Sequence, residues 1–160
     1  MDRNYWLELF TSVTWKEFQD AGSSISGFRE SRWNICKKIA KGDYLLCYLT
    51  DASRFVGVLE VRSGLFKQRG WDIWKHDNFP CRFKVKPIVV LSPETGIPLL
   101  ALRDNLSFFP NRRNSHGWTR YFRSSPANWK KEDGELIVKA LLQAKESMPV
   151  VSNVSLSETS

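Results

Sequence analysis

The sequence predicts a single α+β domain built on a curled, mostly antiparallel sheet with short flanking helices. Three observations carry this: several short apolar runs with the two-residue alternation of strands, only two or three stretches with helical spacing, and no regular strand–helix–strand alternation that would build a parallel sheet. The 160 residues, 42% hydrophobic and 13% aromatic, suffice for one core without metal or disulfide support. The expected domain spans residues 1–147. Residues 148–160, rich in Ser, Asn, Thr and Glu after Pro149, are expected to form a disordered tail or linker.

Tyr5-Trp6-Leu7-Glu8-Leu9-Phe10 reads as the first strand. Thr14-Trp15-Lys16-Glu17 has the form of a capping box, predicting a short helix from Thr14 to about Ala21 that stops at Gly22. Ser23 to Gly27 reads as a polar connection. Ile35 and Ile39, with Arg32, Lys37, Lys38 and Lys41 around them, predict a basic amphipathic helix over 32–41. Tyr44 to Leu49 is apolar on both faces, as in a central strand, and Arg54 to Val61 should pair with it as a hairpin in which Gly57 marks a bulge or a close approach. Leu65 to Pro80 lacks a period yet holds four rings, Phe66, Trp71, Trp74 and Phe79. From Cys81 to about Leu91 strict alternation predicts a long strand, with Phe83 and Val85 inward and Arg82, Lys84 and Lys86 forming a basic outer edge. Asn105 to Ser125 is a second irregular, basic and aromatic stretch. A last helix starts near Asp133 with Leu136, Ile137, Ala140, Leu141 and Ala144 on one face.

Composition narrows the function classes. The start of the chain lacks the form of a secretory signal and no run is long and apolar enough to span a membrane, so a cytoplasmic protein is expected. Cys36, Cys47 and Cys81 are odd in number and far apart, which predicts three reduced, packed thiols. The P-loop, Rossmann, nucleophile-elbow and zinc-protease motifs are all missing. Asp72, His76 and Asp77 could be imagined as a hydrolytic cluster, but solvated loop charges are the simpler reading. We therefore expect no enzyme, no cofactor and no metal site.

What remains is positive charge interleaved with rings. The net charge is +7, and residues 82–131 carry ten basic and two acidic side chains. Such a surface attracts a polyanion through counterion release, and flat rings stack on nucleobases. Of the seven tryptophans, Trp6, Trp15 and Trp129 read as core. Trp33, Trp71 and Trp74 are the binding candidates, with Trp118 a weaker one.

Several segments taken together resemble the EVE domain family: Tyr5-Trp6-Leu7, Gly27-Phe28-Arg29-Glu30 leading to Arg32-x-Asn34, Lys41-Gly42-Asp43-Tyr44-x-x-Cys47-Tyr48, Phe55-x-Gly57-Val58-x-Glu60-Val61, Phe79-Pro80-x-Arg82, and Ser124-Ser125-Pro126 to Glu135. The resemblance covers about residues 4–145. It implies a PUA-like fold, a curled β-barrel flanked by helices, related to the YTH domains that hold 6-methyladenine in an aromatic cage. It also implies a reader of modified DNA bases, chiefly methylated or hydroxymethylated cytosine, flipped into a cage, with a restriction nuclease as partner. The alternatives are a general RNA-binding module, on transfer or ribosomal RNA or on RNA carrying 6-methyladenine, and an adaptor that binds a nuclease or other protein. Carried onto this chain, the cage is framed by Phe10, Thr11 and Ser12, by Phe28 and Trp33, and by Trp71, Trp74 and Phe79. Arg29, Arg32, Lys37, Arg112, Arg113, Arg120 and Arg123 are the expected phosphate contacts. The family places a tryptophan one or two residues before the glycine of the Gly27 segment, where this chain has Ser26 and Ile25. The first wall then falls to Phe28 or Trp33.

Overall fold

The computed structural model describes residues 2–107 and 121–147. Arg112, Arg113, Trp118 and Arg120, together with the tail 148–160, lie outside the described residues. The expected α+β architecture is present. Strands β1 (Tyr5–Phe10), β2 (Ile25–Phe28), β3 (Tyr44–Leu49), β4 (Arg54–Val61), β5 (Phe66–Lys67), β6 (Cys81–Val90), β7 (Ile97–Pro98) and β8 (Ala127–Trp129) join helices α1 (Ser12–Asp20), α2 (Trp33–Cys36) and α3 (Lys131–Glu146). The spatial order is β2-β6-β4-β3-β1-β8, with β5 added to β6 and β7 to β4. The long strand β6 makes the curl. Its first half pairs with β2 and β5, and its second half passes to β4. All pairs are antiparallel except β1–β3, whose connection must cross over and does so through α1, β2 and α2.

Alternation along the strands sorts side chains into two cores. Trp6 and Phe10 of β1 join Trp15, Phe18, Leu45, Cys47, Phe28, Trp74 and Phe83 on the concave side. Tyr5 and Leu7 face the other way, onto Ile137 and Leu141 of α3. The hairpin β3–β4 forms as expected, and its register steps from Cys47↔Gly57 to Tyr48↔Phe55. Val56 is thus an extra residue, a bulge. Gly57 is also a close approach, since a Cβ there would lie 2.8 Å from the Trp15 indole and 2.9 Å from the Val89 carbonyl. All three cysteines are free and buried, in accord with the sequence.

Four sequence expectations need correction. Helix α1 starts three residues earlier, with Thr11 as N-cap: its hydroxyl accepts from the Thr14 amide (3.1 Å) and the Thr14 hydroxyl accepts from the Thr11 amide (2.8 Å). A second threonine does the work expected of Glu17, whose carboxylate accepts from the Lys75 amide at 3.0 Å instead. Residues 25–28 form β2 rather than a polar connection, because pairing with β6 outweighs their composition. The helix expected over 32–41 is a 3₁₀ turn at Glu30–Arg32 followed by the single turn of α2. After it the Lys38 and Ile39 amides donate to the Ile35 and Cys36 carbonyls at 3.0 Å, and Asp43 then accepts from the Ala40 and Asn4 amides and from Trp6 Nε1 at 2.9, 3.1 and 3.0 Å at the entry to β3. Finally, β6 is not an edge, and Arg82, though on the same face as Lys84 and Lys86, is 1% exposed. The 71–80 loop covers that part of the outer face.

The concave core holds one carboxyl group. Glu8 is buried, with the Ser26 hydroxyl 2.7 and 2.6 Å from its two oxygens and the Gly27 amide as a further donor. Around it lie Cys36 from α2 and Cys47 from β3, neither of which carries compensating charge. Burial therefore pushes the Glu8 carboxyl up to about 8, against an ordinary value of 4.5. It is a neutral acid at physiological pH.

Two predictions follow from the packing. Gly134 lies in the first turns of α3 where a methyl would overlap the Tyr5 ring. Alanine ordinarily favours a helix over glycine by about 1 kcal/mol, yet Gly134→Ala should destabilise the fold by about 1–3 kcal/mol through overpacking, read as a lower denaturation midpoint. Between these two values the native state holds the Glu8 proton that the unfolded chain has lost, so the contribution of Glu8 to stability is full below 4.5 and is lost as pH rises towards 8. Glu8→Gln should flatten that fall in a series of melts across this window. An unchanged profile would show that another group produces it.

Candidate functional site

A cavity of about 320 Å³ opens where the end of β1 meets α1, bounded by β2 and its exit, by Thr50, by the 71–80 loop and by Arg123–Ser125. This volume is at the lower end of the range for small-ligand sites, about 300–1,000 Å³. Of the expected base-binding residues, Phe10, Thr11, Phe28 and Phe79 line it, and of the expected phosphate contacts, Arg29, Arg32 and Arg123 do. Leu9, Thr14, Gly27, Thr50, Asp77, Ser124 and Ser125 complete the wall. Gly27, Ser124 and Ser125 belong to motifs that carry the resemblance, Asp77 had been read as a loop charge, and no local pattern marks Leu9, Thr14 or Thr50 as site residues.

The remaining candidates lie elsewhere. Ser12 is turned to Asp51, which accepts from its amide and hydroxyl at 3.0 and 3.1 Å. Trp33 is half-buried on α2, its ring covered by the Lys67 ammonium at 4.7 Å. Lys37 is exposed beyond α2. Trp74 is buried, donates from Nε1 to the Thr14 carbonyl (3.2 Å) and meets Phe79 edge-on at 5.0 Å. It stands behind the Phe79 ring rather than in the cavity. Trp71 is 58% exposed.

Inside the cavity the rings differ in what they offer. Phe10 and Phe28 are almost wholly buried, whereas Phe79 is partly exposed with the Arg29 guanidinium 5.2 Å from its centroid. Arg29 also pairs with Asp77 at 3.3 Å, and Arg32 donates to the Pro126 carbonyl at 3.2 Å. Three arginines against one carboxylate leave the cavity positive. The hydroxyls are engaged in backbone bonds: Thr11 and Thr14 in the helix cap, Thr50 to the Phe10 carbonyl, and Ser125 as acceptor from the Leu9 amide. None of these four hydroxyls is bonded to a group that could act as a general base. The imagined hydrolytic cluster is divided as well, since Asp72 and Asp77 are each held by an arginine. Among the described residues no group of acids, histidines and cysteines is placed to hold a metal ion, and no helix is long and apolar enough to cross a membrane.

The wall carrying Asp77 and Phe79 is fixed by Arg82. Its Nη1 and Nη2 each donate to Asp72 at 3.0 Å, its Nε donates to the Phe79 carbonyl at 3.1 Å, and its guanidinium lies 5.5 Å from the Trp74 centroid. This two-bonded arginine–carboxylate contact is the strong form of the interaction, and it holds the Asp72 carboxyl below its ordinary value. Asp72→Ala would leave a buried guanidinium short of acceptors. We expect a stability loss of about 1–3 kcal/mol, with faster hydrogen exchange at the Lys75 and Asp77 amides. Wild-type exchange in the variant would show that the loop is held by other contacts.

No family model matches the sequence, and no curated protein does. Solved structures do. The YTH domain of Zygosaccharomyces rouxii MRB1, in complex with N6-methyladenosine RNA, aligns with a TM-score of 0.59 at 18% identity, covering 87% of this chain and 84% of that one. The Mmi1 YTH domain in complex with RNA aligns with a TM-score of 0.61 at 12% identity, over 90% and 80% of the two chains. Rpa0253 from Rhodopseudomonas palustris aligns with a TM-score of 0.57 at 16% identity, over 86% and 92%. The curled sheet with its short helices is the YTH-like, PUA-like fold.

Proposed function

We propose that the chain is a nucleic-acid-binding module of EVE type that receives a single modified base of an RNA strand in the cavity beside Phe79. The observation that carries this reading is the cavity itself: apolar at its floor through Phe10 and Phe28, ringed by Arg29, Arg32 and Arg123, and one nucleotide wide in scale. The phenylalanines supply apolar contact for a methyl group and Phe79 a stacking edge, while the guanidiniums attract the flanking phosphates. RNA is favoured over the DNA reading because similarly folded YTH domains have been solved with RNA, one of them with N6-methyladenosine RNA.

The test compares affinities for single-stranded RNA with and without one N6-methyladenosine, and for duplex DNA with and without methylated cytosine. Phe79→Ala should lose about 1–3 kcal/mol of stacking, roughly a 5- to 150-fold loss, and with it most of the discrimination. Arg32→Ala should weaken modified and plain RNA alike and lower the salt slope by about one. Equal affinity of the wild type for modified and plain RNA would overturn the modified-base reading. A preference for modified duplex DNA would instead restore the DNA reader and its nuclease partner.

A further inference from the structure

Trp71 is the one tryptophan among the described residues that stands largely in solvent. Its backbone is nonetheless firmly held. Asp72 is clamped by Arg82, the Gln68 amide donates to the Pro80 carbonyl at 2.9 Å, and the Lys75 ammonium donates to the Trp71 and Asp72 carbonyls at 2.9 and 3.2 Å. No ring or cation among the described residues lies on the indole. An apolar surface of this size on a pinned loop is unlike a scattered surface residue. It is a flat aromatic face carried on a backbone that is already held in place.

The neighbouring charge points to the kind of partner. Two residues before Trp71, Arg69 donates through Nη2 to both oxygens of Glu30 at 2.9 and 3.0 Å. Its Nε and Nη1 donors have no protein partner among the described residues, and the side chain is 61% exposed. Glu30 directly follows Arg29, which lines the cavity. The Arg69–Glu30 pair therefore ties the loop that presents Trp71 to the cavity rim. Lys67 adds a second cation beside Glu30 at 3.8 Å.

We propose that Trp71 and Arg69 form a second nucleotide subsite outside the cavity: the base next to the captured one stacks on the Trp71 indole, and the phosphate between the two contacts the outward donors of Arg69. The partner is a single strand, because a base held in a duplex stack has no face to give. This inference rests on the reading of the cavity as a base pocket.

The experiment measures affinity of wild type, Trp71→Ala, Trp71→Phe, Arg69→Ala and Phe79→Ala for the 5′-monophosphate of N6-methyladenosine and for single-stranded RNAs extended on either side of that nucleotide. Extension on one side should tighten wild-type binding about 5- to 150-fold, the range of one stacked base. Trp71→Ala should lose that gain while keeping wild-type affinity for the monophosphate and the preference for the modified base. Trp71→Phe should recover part of it, and Arg69→Ala should lower the salt slope for extended RNA by about one. Wild-type behaviour of Trp71→Ala on every RNA, with Phe79→Ala still impaired, would overturn the subsite and leave the pocket standing. Failure of the wild type to bind any of these ligands would overturn both.

Discussion

The 71–80 loop lies against β2 so closely that position 27 admits no side chain. A Cβ on Gly27 would lie 2.7 Å from Cζ3 of Trp74, 2.8 Å from Cβ of Phe79 and 2.9 Å from the Phe79 carbonyl. Everything at the site depends on this contact. It lets Trp74 sink into the concave core, where its Nε1 reaches the Thr14 carbonyl and its face supports Arg82. With the indole there, Phe79 is left at the surface of the loop as the ring facing the cavity. Arg82 then fixes the height of the loop, because the same guanidinium bonds Asp72 on one limb and the Phe79 carbonyl on the other. A glycine on one strand and a buried arginine on its partner, paired directly as Gly27↔Arg82, together determine where the cavity wall stands.

Much of this was legible in the sequence wherever local pattern and tertiary environment agree. The strands β1, β3, β4 and β6 follow from alternation or from fully apolar runs, and Gly57 was marked as a close approach by its place inside a strand. Where tertiary contacts outweigh local pattern, the reading failed. Arg82 alternates perfectly with Phe83 and Val85, so nothing local shows that a loop will cover it and that Asp72 will neutralise it. The run 32–41 has helical spacing, yet only Trp33–Cys36 is α-helical, and the chain then passes through i→i+3 bonds to Asp43, whose carboxylate gathers three donors. At the site, the ring-bearing loops were recognisable by composition. Which ring faces the cavity was not, since Trp71, Trp74 and Phe79 share one irregular segment and only packing against Gly27 tells them apart.

The same limit applies to the tryptophan expected just before Gly27. Ser26 and Phe28 share a parity on β2 and both are buried, with Ser26 directed at the carboxyl of Glu8. A large ring at position 26 would need the volume that Ser26 and Glu8 now fill. The small serine and the buried acid fit together: the hydroxyl makes room for the carboxyl, and the carboxyl satisfies the hydroxyl. Burying a neutral acid with its hydrogen bonds met is tolerable, whereas burying it ionised beside Cys36 and Cys47 would not be.

On the proposed reading, the lining of the cavity bears on how a base would be recognised. A cage of indoles discriminates chiefly by apolar contact on both faces of the ring. Here Phe10 and Phe28 show little surface, Phe79 is partly exposed, and three guanidinium groups share the remaining lining with small and hydroxyl-bearing residues. Guanidinium planes stack on bases and also attract phosphate, so they strengthen binding without distinguishing a methylated base from a plain one. If the cavity takes a methylated base as proposed, discrimination falls to the two buried rings and affinity to charge. In such a site, contacts with neighbouring nucleotides matter more than they would in a full cage, because the pocket alone grips its base with fewer aromatic faces. The exposed Trp71 indole on the adjoining loop, whose neighbour Arg69 pairs with Glu30 next to Arg29 of the rim, would supply a further face where the cavity lacks one.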